Sequence, residues 1–466
     1  MPWPDQVVPV AMARVAVVSP ESRSRRVMVE TADLGLFEPD PPLDAPSAPT
    51  SDQGRRSGPD ALDEEPRLAE HERDPDALAA EGRTDLIQGE ADLAARLDGA
   101  HRTSRCTVVT GWLPRDDLDT LRTRLASYGG SVTELNPQRG MMPPTAHGAS
   151  SRTEALRPLV STYGTVPYRD IDPTWFAAFA YMLMFGMMFG DVGHGSLLVA
   201  LGVASATLHR SPIDRLAPAA PFLVGAGIAS VGFGFLYGEA FGPTGLVPTL
   251  WLRPLDEPET LLLAGLVLGS ILMSITFVLA ATNRWREGGA PLALYAPSGI
   301  GGSLLFAGAA AVVGGLAGSL SWLWQLGIAL FLGGAVLVFV GLVVRAGTRP
   351  SGVAQAVVEM FDTLLRLGSN VVSFTRLAAF GLTHAVITGV VWDGTVSLWN
   401  RGGLLAVTAA IVLFLVGNLA AFALGVLVAA IQALRLEYYE MFSRLFASEG
   451  RPFEPWHLPV ERSETS

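Results

Sequence analysis

No lysine occurs anywhere in the 466 residues; all 33 basic side chains are arginine. This excludes a phosphate loop of the Walker type, which needs a lysine on the phosphates, and it excludes Schiff-base chemistry. If ATP drives this protein, another chain must bind it. Cysteine is nearly absent: the single Cys106 excludes an internal disulfide and any cysteine cluster for metal. Charge is also scarce, at 17% of residues against ~25% in soluble domains. It leans acidic, with a formal net charge of -11, which argues against a nucleic-acid partner, since those want clustered cations. The opening stretch MPWPDQVVPVAMARVAVV lacks the charged start and long apolar core of a signal peptide. The first third is therefore expected in the cytoplasm.

What is present divides unevenly. Residues 1–172 hold 28 acidic and 19 basic residues, whereas 173–434 hold 10 of each. A polar first third thus precedes an apolar remainder. In the first third, 7–18 reads as a strand and 21–36 as an amphipathic helix. Residues 39–60, rich in Pro, Asp and Ser, read as a loop or a disordered stretch. Residues 61–73 and 76–99 have the composition of one or two short helices, a small helical arm over about 61–100. CTVVTGWLP (106–114) is a strand, 116–129 a helix with an acidic first turn, and 130–137 a strand. The domain expected over 1–172 is a small α/β domain with a helical insert, and 138–172 is its irregular bridge to a membrane domain at 173–445. Residues 446–466 are set apart as a tail.

Apolar runs near 174–190, 192–208, 216–237, 260–282, 292–316, 322–344, 367–391 and 404–434 predict about eight transmembrane helices, each crossing ~30 Å of hydrocarbon with ~20 residues. The fold class expected is mainly α and polytopic. If the first domain is cytoplasmic, the inner loops hold Arg210, Arg215, Arg284, Arg286, Arg345 and Arg349, and the outer loops Arg253 and Arg401, an arrangement that obeys the positive-inside rule. Both termini are then cytoplasmic, and a prokaryotic plasma membrane is the expected location.

Charge within these runs is costly and marks function or a paired structural ion. Arg376 falls ten residues into the seventh run. Ser373, Ser369 and Asp362 lie on roughly its helical face, Thr383 lies ahead on it and His384 at its margin. Glu359, Arg366 and Asn370 stand upstream. The last run carries Asn418, Gln432, Arg435 and Glu437. An arginine does not give up its proton in proteins. It can serve as the partner of a carboxylate that moves, lowering that group's pKa, and as a block to a direct proton wire. The bland alternatives are an ion pair of Arg376 with Asp362 or Glu359, a core histidine at 384 and an interfacial Arg435. Asp191 and His194 either line a pathway or cap helices, and Glu239 is expected near the outer surface.

FGMMFGDVGHG (185–195), SNVVSFTRLAAFGLTHAVI (369–387) and IQALRLEYYEMFSRLFASEGRPFEPW (431–456) resemble, in that order, segments of the large membrane subunit of rotary V/A-type ATPases, called a or I. TVVTGWLPRDDLDTL (107–121) and YGTVPYRDIDPT (163–174) resemble that family's cytoplasmic domain and its entry into the membrane. The resemblance implies a stator with two half-channels facing a rotating ring, each ring member bearing a carboxylate. It makes Arg376 the arginine that separates the half-channels and Arg435 the second arginine. Channel-lining candidates are Glu359, Asp362, Asn370, Ser373, His384, Gln432, Glu437, Asp191 and His194. The partners implied are the c/K-type ring subunits, peripheral stalks reached through the cytoplasmic domain, the soluble ATPase sector indirectly, and lipid. This chain would not hydrolyse ATP, and no cofactor or metal is implied. One departure stands out, because family members have a longer coiled-coil arm. Here 61–100 would reach only ~60 Å as one helix or ~30 Å as a hairpin. The competing readings are a stand-alone secondary transporter, with Arg376 binding an anionic substrate, and a membrane scaffold in which the arginine is only structural.

Overall fold

The computed structural model describes residues 9–41, 65–137, 140–146, 155–208, 213–446 and 449–462. Most of the loop expected at 39–60, the first four residues of the expected arm and Arg210 lie outside the described residues. The chain forms two compact units: 1–148 together with 450–466, and 149–449.

The first unit is built on an antiparallel sheet. β1 (Met12–Pro20) is its centre, hydrogen-bonded on one side to β5 (Cys106–Pro114) and on the other to β6 (Ser131–Leu135). The two-residue strands β2 (Glu38–Pro39) and β4 (His101–Arg102) pair with β5. Flanked on both sides, β1 buries Val15 and Val17 against Val27, Met28 and Ala32 of α1 (Ser24–Leu34) and Leu121 and Leu125 of α4 (Leu118–Ala126). The arm is a short pair, α2 (Pro75–Ala80) and α3 (Thr84–Asp98), and α3 is laid on this core through Leu93 and Leu97.

The helix expected at 61–73 does not form in its described part. Leu68–Ala69 is instead a strand, β3, pairing in parallel with β7 (Val460–Glu461). A partner far away in sequence overrides the local helix propensity. Residues 446–466, set apart above as a tail, thus contribute to this unit. Trp456 and Leu458 are buried in its core, the Trp456 indole N–H donates to Asp92 Oδ2 at 2.7 Å, and Arg451 pairs with Glu38 at 3.0 Å.

The second unit is helical. Among the described residues, six stretches are long and apolar enough to cross a bilayer: Arg215–Tyr237, Pro258–Tyr295, Ile300–Ala317, Ser321–Ala346, Pro350–Asn400 and Leu404–Leu445. Two of the eight expected spans fall short. Helices α5 (Thr174–Met188) and α6 (Val192–Thr207) have 15 and 16 residues, or about 22–24 Å at 1.5 Å per residue, against ~30 Å of hydrocarbon. α5 is instead largely packed against protein, with Ala177, Ala180, Met184, Phe185, Met187 and Met188 all buried and only Trp175 and Phe179 exposed. The remaining helices are α7 (Ala220–Tyr237), α8 (Pro258–Tyr295), α9 (Ile300–Ala317), α10 (Ser321–Ala346), α11 (Pro350–Ser373), α12 (Thr375–Asn400) and α13 (Leu404–Leu436).

Two boundaries differ from expectation. The helical dihedrals of α8 fail at Gly289, with φ 71° and ψ −162°, so the next span begins at Ile300 rather than near 292. Arg284 and Arg286 then lie inside α8 and not in a loop; Arg284 is buried and paired with Glu287 at 2.7 Å. The seventh run is also not one continuous helix. At Phe374 the ladder tightens to i+3 bonds, with Phe374 N–H to Val371 O at 3.1 Å and Leu377 N–H to Phe374 O at 3.0 Å. The buried Phe374 ring fills a notch at Gly269 of α8, where a Cβ would meet it at 2.2 Å.

Candidate functional site

Two polar centres sit among these helices. The first surrounds Arg376, which the Phe374 turn places in the first turn of α12. Its Nη2 donates to Ser373 Oγ at 2.8 Å, as the shared face predicted. Its Nη1 is buried without a hydrogen-bond partner among the described residues. Arg435, exposed near the end of α13, and Glu440 lie within its electrostatic reach. Neither bland ion pair forms: Asp362 pairs with Arg366 at 2.7 Å, while Glu359 takes Gln355 at 2.9 Å and Arg345 at 3.4 Å. Among the described residues, no carboxylate lies within ion-pair distance of Arg376 or Arg435.

Glu440 is a member of this group that sequence spacing missed. After α13 the chain makes a π turn, Glu437–Phe442, whose wider pitch breaks the i, i+4 phase by which a helical face is predicted. With its amide oriented to donate, Asn370 reaches Glu440 Oε2 at 3.1 Å and Arg366 O at 2.9 Å. Glu437, at the head of the π turn, is fully buried with both carboxyl oxygens unpartnered among the described residues, and Gln432 Oε1 is likewise unpartnered. Buried polar atoms are nearly always paired, so Arg376 Nη1, Gln432 Oε1 and Glu437 are groups with hydrogen-bonding capacity to spare. Ser369 and Thr383 of the predicted stripe are exposed.

The second centre joins Asp191, His194 and His384, whose ligating atoms all lie within 4.8 Å of one another. Asp191 N-caps α6. Its Oδ1 accepts the His194 N–H at 2.8 Å and the Phe241 N–H at 2.9 Å, and its Oδ2 accepts the Gly242 N–H at 2.9 Å. The capping role foreseen for Asp191 is thus present. His194 Nδ1 faces His384 Nε2 at 3.4 Å. Phe189, Phe241 and Phe422 enclose the pair, and α13 passes close enough that a Cβ at Gly425 would meet His384 Nδ1 at 2.9 Å. His384 is therefore a buried core residue whose Nε2 faces another titratable ring. The Glu239 side chain is buried, and its backbone closes the α5–α6 corner by accepting the Val192 N–H at 2.9 Å.

Residues 88–251 match the sequence profile of the V-type ATPase 116kDa subunit family. The chain is similar to A-type ATP synthase subunit I of Archaeoglobus fulgidus, 27% identical over 399 residues that cover 75% of this chain and 58% of that protein. It is similar to A-type ATP synthase subunit I of Aeropyrum pernix, 27% identical over an alignment of 508 residues covering 95% and 71%. It is also similar to V-type ATP synthase subunit I 2 of Treponema pallidum, 33% identical over 178 residues covering 36% and 38%. The chain spans less than two thirds of the A. fulgidus protein's length.

Proposed function

We propose that this chain, whose residues 88–251 match the V-type ATPase 116kDa subunit family, is the membrane stator of a rotary ATPase, offering two half-channels for protons or sodium ions to a rotating ring. Arg376 separates the half-channels, and Arg435 is the second fixed cation. A carboxylate on each ring member loses its ion as it meets Arg376, because a nearby cation favours the ionised form. The arginine keeps its own proton, so no ion passes directly between the two aqueous paths. Asn370, Ser373, Gln432, Glu437 and, by the new contact, Glu440 line those paths. Glu359 and Asp362 stand nearer their mouths. The α/β unit with its short arm engages the peripheral stalks.

The observation that carries this reading is the pair of arginines without a carboxylate partner among the described residues, beside a helix that presents apolar side chains outward. Leu415, Leu419, Leu427 and Ile431 of α13 are all more than half exposed. An unpaired arginine at membrane depth is expensive, and a carboxylate supplied by a moving partner offsets that cost.

The test is ATP-driven ion uptake by inverted membrane vesicles carrying Arg376→Gln, with assembly followed by co-purification of the ATPase sector. Uptake is expected to fall to background with assembly intact. Uptake at the wild-type rate would remove Arg376 from the gate and leave a scaffold role.

A further inference from the structure

We propose that Asp191, His194 and His384 bind one divalent transition-metal ion of the zinc class, which clamps α12 to the α5–α6 corner. The sequence by itself points to no metal, because Asp191 and His384 are far apart in it. Four observations meet at this point of the fold.

The first is distance. His194 Nδ1 and His384 Nε2 face each other at 3.4 Å, which is long for a hydrogen bond from N–H. Two imidazole nitrogens bound to zinc at ~2.0–2.1 Å in a tetrahedron stand roughly 3.3–3.4 Å apart. Asp191 Oδ1 lies 3.9 Å from the same His194 nitrogen. Its Oδ2 accepts a single amide and keeps a lone pair for a metal.

The second is the outer shell. Metal-bound histidines as a rule donate their other ring N–H to an acceptor that fixes the tautomer. Asn418 is a polar neighbour of the His194 ring, and both His194 Nε2 and Asn418 Oδ1 are buried without a partner among the described residues. An N–H from Nε2 to that oxygen would leave Nδ1 as the free lone pair, turned toward His384. The Asn418 amide is itself held by donating to Phe414 O at 2.9 Å.

The third is charge. Asp191 is fully buried, and among the described residues no arginine lies within ion-pair distance of it. A divalent cation with neutral imidazoles would balance that carboxylate.

The fourth is backbone strain. Phe241 takes φ 54°, one of only two positive values among described non-glycine residues. In that conformation its N–H meets Asp191 Oδ1 while its ring packs edge-on against His194, with centroids 5.4 Å apart. Strain of this kind is retained where a site needs it.

The test uses the full chain in detergent, stripped with chelator and titrated with Co²⁺ alone. One Co²⁺ per chain is expected, with the intense visible absorption of a tetrahedral site, and Zn²⁺ is expected to displace it. His194→Gln and His384→Gln should each lose this absorption, and Asn418→Leu should weaken binding about tenfold, as loss of an outer-shell partner does. Zinc-edge X-ray absorption on the wild-type chain needs no variant to fold, and should show two imidazole ligands. The proposal is overturned if the wild-type chain takes up no Co²⁺, if both histidine variants bind it unchanged, or if the bound zinc has no imidazole ligand.

Discussion

Asp170 shows how far one side chain's behaviour depends on what surrounds it. It lies just before α5, fully buried, with neither carboxyl oxygen hydrogen-bonded among the described residues. Burial first, and then the neighbouring Glu287, raise its pKa to about 7, against the opposing pull of Arg284 and Arg286. In the unfolded chain it ionises near the ordinary aspartate value of 3.8. Between those two values the unfolded state holds fewer protons, so this group's contribution to stability is complete at low pH and is lost as pH rises toward 7. Raising the pH from 5 to 8 should therefore lower the thermal midpoint of the wild-type chain by more than that of Asp170→Asn. Equal shifts in the two proteins would refute the assignment. Arg376 is the opposite case: its cost at membrane depth is evident from the residue type and the apolar run alone. Only the fold shows that Asp362 and Glu359 are engaged elsewhere, with Arg366 and with Arg345 and Gln355.

At the scale of elements, glycines set how closely the helices approach. Gly301, Gly308 and Gly315 recur every seventh residue on α9, and Gly327, Gly334 and Gly341 on α10. A Cβ at Gly308 would meet Phe331 N at 2.4 Å, and one at Gly334 would meet Leu305 N at 2.6 Å. The α6–α7 pair repeats the device, with Gly195 and Gly202 packed against Gly227 and Val224. In a bilayer, where lipid is as apolar as leucine, such close backbone packing drives association. Gly308→Ala should lower the thermal midpoint in detergent, because its obstacle is backbone and cannot swing away. Gly333→Ala, on the open side of α10 with nothing within 4 Å of its Cβ, should be neutral or stabilise by up to ~1 kcal/mol through helix propensity. The same response from both would dismiss the seam. The seven-residue spacing is visible in the sequence, but apolar composition masks it. Helix ends were equally hard to read: nothing local to 369–387 announces the turn at Phe374, which depends on the notch at Gly269 in another helix.

Across the whole molecule, the two ends of the chain meet in one core. Trp456 stacks beneath Arg96, 4.8 Å from its guanidinium carbon, and Leu458 N–H bonds to Ala32 O at 3.2 Å. Trp456→Ala should cost ~3–5 kcal/mol, as large-to-small changes at buried aromatic sites do, and the loss should appear as faster hydrogen exchange in β1 and β5. Unchanged exchange there would mean that the strand order holds without the closing segment. The sequence marks 446–456 only by its resemblance to a family motif. Its place in the α/β core was hidden because β3 and β7 have two residues each and no periodicity of their own.

Legible along the chain were the apolar character of the second unit, most of the strand–helix order of the first, a family resemblance and the likeness of Arg376 to that family's essential arginine. Each of these rests on a local quantity: the hydropathy of a run, a short period, a linear motif. Only the assembled helices show that α5 is a short, largely buried helix, that Arg376 opens a helix rather than lying inside one, and that Glu440 joins its neighbourhood. Tertiary structure alone brought Asp191, His194 and His384 within ligand distance. These outcomes depend on which residues far apart in the chain come to lie within a few ångströms, and no window along the sequence contains both partners.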